Sequence, residues 1–179
     1  PTRRSSDLFW FNPEHRSLWF AKSDEFDAKI RDQFQIIHYQ AIQAELWSWR
    51  HTPEGRLAEI IVLDQFSRNL YRDQAQAFAY DSMALMLAQE AISLQLDAQL
   101  NPEQRSFLYM PFMHSESKLM HEFALKLFQR LGNEINLSFE KKHKVIIDRF
   151  GRYPHRNAIL GRSSTPEELT FLTQPNSSF

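Results

Sequence analysis

Three short blocks of this chain collect the side chains that hold charge and move protons. The stretch from Arg149 to Arg162, "RFGRYPHRNAILGR", sets four arginines, His155 and Asn157 into fourteen residues without a carboxylate. Self-repulsion destabilises such a cluster unless carboxylates from elsewhere, or an anionic ligand, neutralise it. Arginine grips carboxylate and phosphate groups two-pronged. The block therefore points to an internal ion-pair lattice clamping the last helix, to a cradle for an anion, or to both. Asp64, Asp81, Glu116 and Asp148 are the carboxylates available as internal partners.

The second block, "LDQFSRNLYRD", ends a very hydrophobic segment. Asp64 and Arg68 stand four apart, the spacing of an ion pair on one helix surface. Asn69 reads as a helix stop or a ligand donor, and Arg72 as a solvated turn residue. In the third block, "YMPFMHSESKLMHE", Pro111 is expected to break a helix and His114 to Glu116 to open the next. Free backbone donors there would favour an anion and perturb an imidazole or carboxylate. His114 suits general acid–base work, with Glu116 or Asp148 orienting it. His114 and His121 lie seven apart, about 10.5 Å along a continuous helix, too far to share one metal ion. Ser115 is a poor nucleophile for His114, because adjacent helical residues do not face each other. No metal is assigned, and the cofactor is left unknown.

Together the blocks suggest a site for an anionic small molecule lined by Arg68, Asn69, Arg152, His155, Arg156 and Asn157, with His114, Glu116 and Asp148 as candidate catalytic residues; whether it is an enzyme is left open. A different class of function is a helical adaptor whose concave face holds an acidic peptide and exposes Tyr71, Tyr80 or Tyr109. A third reading is purely structural, with the polar blocks forming a buried lattice.

The elements that must position these residues are helical. Glycine is scarce at 4 residues in 179, and no alternating Val/Ile/Thr runs suggest strands. Ser23, Thr52, Asn101 and Thr165 each precede an acidic residue or a proline, as helix starts do. A long helix is expected from Ser23 to about Leu46, an Ala-rich one over "QAFAYDSMALMLAQEAISLQ", and two more ending at Gly132 and Gly151. "FWF" at 9–11 and "WF" at 19–20 are expected to form an apolar lid over one end. Pro1 to Asp7 read as translated adapter sequence, a non-native tail ahead of a single all-helical domain over 8–179. A net charge of -1 speaks against a general nucleic-acid binder. The absence of cysteine permits a cytoplasmic location, no apolar run is long enough for a membrane span, and the oligomeric state is left unknown.

At these residues the sequence resembles an uncharacterised bacterial family, domain of unknown function 924. The resemblance runs from about Leu8 to Phe179 and rests on "FWF", "WF", "LDQFSRNLYR", "AFAYD", "PFMHSE", "FGRYPHRNAILGR" and "STPEELTFL". It implies an all-α fold of six to eight helices packed as antiparallel pairs in a tetratricopeptide-like right-handed superhelix, and no established reaction. Arg68, Asn69, His114, Glu116, His155, Arg156 and Asn157 match the family motifs. The family usually has Pro at Ser67, Phe at Tyr153 and an acidic residue at Ser163, and Lys118 and His121 make the stretch after "HSE" unusually basic.

Overall fold

Helices start where a short polar side chain can take over a backbone donor of the first turn. Ser23 accepts from the Phe26 amide and Thr52 from the Gly55 amide; Asn101 with Gln104 and Thr165 with Glu168 form reciprocal caps. These open α2 (Asp24–Ile42), α3 (Pro53–Ile61), α6 (Pro102–His114) and α9 (Pro166–Leu172). Helices α7 (Lys118–Leu131) and α8 (Glu134–Phe150) stop at Gly132 and Gly151, whose φ angles of 74° and 69° are left-handed. The computed structural model describes residues 3–178, and these contain α-helices and short 3-10 turns but no strand. The remaining helices are α1 (Arg3–Trp10), α4 (Ser67–Leu70) and α5 (Asp81–Ser93). Residues 3–7, set apart in the sequence as a tail, belong to α1, where Ser6 is buried.

Two boundaries differ from the sequence reading. α2 ends at Ile42 rather than near Leu46, because Ala44 takes a left-handed φ of 58° and a 3-10 turn follows at Trp47–His51. Pro111 does not break a helix: α6 runs through it to His114. Proline removes one helical hydrogen bond, and the burial of every residue from Ser106 to Met113 outweighs that loss.

The core forms around α3, buried from Gly55 to Ile61 and packed against α1, α5 and α6. Phe26, Ile30, Phe34 and Ile37 of α2 recur at helical spacing and enter the same core. Ala84, Ala88 and Ala91 of α5 are fully buried, and small side chains let α3 and α5 approach closely. At one end Trp10 packs against Trp19 and Phe107 at 6.0 and 5.6 Å between ring centres, while Phe20 of the expected lid stays exposed. Helices α5 to α8 each pack against the next in sequence. A smaller core of Ile146, Ile147 and Tyr153 ties the last segment to α8. No helix among the described residues is long and apolar enough to cross a membrane.

Candidate functional site

Between α3 and α4 the helical run widens into a single π turn, Val62–Phe66, every residue of which is buried. Such turns are rare and recur at functional sites. This one carries Asp64 inward. The Asp64 side chain is 1% exposed, so it is no half of a surface pair. Its carboxylate accepts from Gln65 Nε2 at 2.6 Å and His114 Nδ1 at 2.7 Å, and Arg68 Nη1 stands 3.0 Å away as an ion pair while donating to the Asp64 backbone carbonyl at 2.8 Å. Burial alone would raise its pKa, but the charge of Arg68 and the contact with His114 hold the carboxyl well below the usual range.

His114 lies at the end of α6, not at the start of α7, whose cap is Ser117. A carboxylate only accepts, so the hydrogen on the imidazole sits on Nδ1, toward Asp64. Burial and then the Arg68 charge push His114 below the ordinary histidine value, against the pull of Asp64. At neutral pH the ring is therefore uncharged. Its Nε2 is a bare lone pair with no hydrogen-bond partner among the described residues, on a ring that lines a cleft of about 250 Å³.

Asp81 opens α5 on the facing wall, and Arg68 donates to both its oxygens at 2.9 and 3.0 Å. Arg156 reaches the same cleft from the 3-10 turn Pro154–Arg156, donating through Nη1 to the His114 carbonyl at 3.1 Å and to Asp81 at 3.4 Å. Its guanidinium is stacked between Phe78 and Tyr153, 4.5 and 4.4 Å from the ring centres, which fixes its plane. Nη2 of Arg156 donates to no described residue, and its buried Nε has no partner either. Glu116 completes the wall; Arg162 grips it at 2.6 and 2.9 Å, and the Tyr153 amide donates to it at 2.7 Å. Although burial raises it, Arg162 keeps this carboxyl below its usual range, hence ionised.

Of the residues singled out in the sequence, His114, Glu116 and Arg156 line the cleft and Arg68 stands directly behind it. Asn69 faces elsewhere, donating to Asp27 at 2.8 Å, and Arg72 is not solvated but clamps the same carboxylate at 2.6 and 2.8 Å. Asp148 pairs with Lys144 on the outer face of α8, with 47% of its side chain exposed. Arg152 grips Glu168 at 2.6 and 2.7 Å, and Asn157 links Glu168 to Arg162, so both brace the last helix rather than line the cleft. His155 packs beside Tyr153, its Nδ1 buried without a partner, and burial lowers it to about 4. Each arginine of the 149–162 block meets a carboxylate, Arg149 pairing with Glu167, and Arg156 makes the longest contact. The tyrosines considered for an adaptor face are not displayed as one: Tyr109 is buried on Asp97, and Tyr71 and Tyr80 pack against the core. Phe78 and Tyr153 are participants that the sequence reading did not place in the site, "AFAYD" and "FGRYPHR" containing them only as family motifs, while Asp81 was named only as an available partner for the arginines. No group of three or more His, Asp or Glu among the described residues is arranged to hold a metal.

An all-helical protein with a buried Asp–His pair opening on a small charged cleft is the class that fold and geometry define. The family model for bacterial proteins of unknown function, DUF924, matches residues 8–176, and the chain belongs to that family. A solved structure, a protein of unknown function from Agrobacterium tumefaciens, is similar at 36% identity and a TM-score of 0.89, over 94% of this chain and 95% of that one. Comparison with curated proteins finds no match.

Proposed function

We propose that the cleft binds a small molecule carrying a carboxylate or phosphate, and that His114 takes a proton from it or from a water beside it. One observation carries this reading. The imidazole is held through Nδ1 by a buried carboxylate and leaves Nε2 unpaired on a ring that lines the cleft, with Arg156, whose Nη1 donates to the His114 carbonyl, lining it too. A neutral, oriented imidazole is the arrangement general-base chemistry needs, and Arg156 supplies a fixed donor for an anionic group. Asp64, rather than Glu116 or Asp148, orients the base. The hollow of about 250 Å³ falls below the range of drug-sized pockets, roughly 300–1,000 Å³, which favours a small metabolite over a peptide. Packing of sequence-adjacent helices supports the tetratricopeptide-like pairing that the family resemblance implies.

The test is thermal-shift screening of small carboxylates and phosphate esters against the wild type, His114→Gln and Arg156→Lys. A hit should weaken at least tenfold in Arg156→Lys, since lysine keeps the charge but not the stacked fork. His114→Gln should keep binding and abolish any proton-transfer activity on the hit. A panel that gives no hit, or hits indifferent to Arg156→Lys, would refute the reading.

A further inference from the structure

Beneath the cleft runs a second buried polar chain, which the His114 chemistry does not itself use. Helix α6 stops at His114, so the carbonyls at its end lack backbone donors one turn on. Side chains from three directions supply them. Met113 O accepts from the Tyr153 hydroxyl, His114 O from Arg156 Nη1 at 3.1 Å and Ser115 O from His121 Nε2 at 2.9 Å. Three consecutive carbonyls around the base are thus tied to groups outside α6. His121 of α7 and Glu140 of α8 are both fully buried, with His121 Nδ1 at 2.8 Å from Glu140 Oε1.

Counting hydrogens fixes the tautomer. A carbonyl only accepts, so His121 Nε2 must carry a hydrogen to meet Ser115. The Tyr153 hydroxyl gives its hydrogen to Met113, so its oxygen is also an acceptor toward Nε2, 3.2 Å away. One proton then lies between Nδ1 and Glu140. Whether it sits on the nitrogen or on the oxygen, Nε2 keeps its own. Without Glu140 the ring still meets Ser115 through Nε2, but its Nδ1 side has no partner to hold the imidazole in place.

We propose that Glu140 and His121 are positioning residues: Glu140 anchors the His121 ring at Nδ1, His121 holds the Ser115 carbonyl through Nε2, and with Tyr153 this keeps His114 aimed with Nδ1 on Asp64 and Nε2 in the cleft. The inference rests on the reading of His114 as a proton acceptor. It adds a second carboxylate–imidazole pair that acts through the backbone rather than on substrate.

The test is histidine side-chain NMR of the full chain, with wild type, Glu140→Gln, Glu140→Leu and Tyr153→Phe compared. Wild type should show His114 as the Nδ1–H tautomer and His121 with hydrogen on Nε2. Glu140→Gln should preserve both, since its amide can donate to a bare Nδ1. Glu140→Leu should leave the His121 ring unanchored at Nδ1, move the His114 titration midpoint up by about half a pH unit, a roughly threefold change in proton affinity, and speed its carbethoxylation by diethyl pyrocarbonate. Tyr153→Phe removes one hydroxyl, keeps the packed ring, and should move His114 in the same direction if Glu140→Leu does not fold. Unchanged His114 titration and reactivity in the folded variants would overturn the positioning role and leave the base assignment standing. A wild-type His114 with its hydrogen on Nε2 would overturn the base assignment itself.

Discussion

Lowering the pH from 7 to 5 should cost this protein about 5 kcal/mol of folding stability. His38, His143 and His155 are each pushed down by burial, to about 4, about 3 and about 4. A histidine in the unfolded chain titrates near 6.5. The folded values are depressed, so the unfolded chain takes up protons first. Stability is complete above about 6.5, falls as the pH drops below it, and stops falling once the folded values are passed. At pH 5 each ring contributes a loss of roughly 2 kcal/mol, and His114 shifts the same way. Glu140, raised by burial, takes up its proton earlier in the folded chain and offsets a fraction of this. Total stability of a domain is typically about 5–15 kcal/mol, so the loss should be plain in urea titrations followed by circular dichroism at pH 7, 6 and 5. His143→Met should remove about a third of the dependence. A slope between pH 6 and 5 of less than one proton, about 1.4 kcal/mol per unit, would refute the burial argument for these rings.

Asp64→Asn should lower stability by about 3 kcal/mol, toward the smaller end for breaking a buried charge pair, because Arg68 keeps its two-pronged contact with Asp81; a loss under about 1 kcal/mol in urea unfolding would contradict the inward placement of the carboxylate. Asp148→Asn should change stability by less than about 0.5 kcal/mol and leave the His114 titration where it is, since it loses only an exposed pair with Lys144; NMR titration of that variant checks both its placement and its exclusion from the site.

What could be read in the sequence was what local chemistry decides. Ser23, Thr52, Asn101 and Thr165 cap helices through contacts three residues away, and those starts fall where the spacing predicts them. The site depends on contacts that spacing does not encode. The arginines of the 149–162 block find their carboxylates 18, 16, 75 and 46 residues away, at Glu167, Glu168, Asp81 and Glu116. Asp64 and Arg68 have the spacing of an exposed helical pair whether the helix faces water or core. Asp64 sits in a stretch buried on all sides, and the end of α6, 50 residues on, is what gives it an imidazole. Proline at 111 read as a break because propensity is local, whereas the burial that carries α6 past it comes from the whole fold. Locality also explains why the sequence offered Glu116 or Asp148 as the partner of His114, whereas its Nδ1 meets Asp64. A histidine beside a helix end is visible in the chain, but its orienting carboxylate is selected by which distant helix packs against that end.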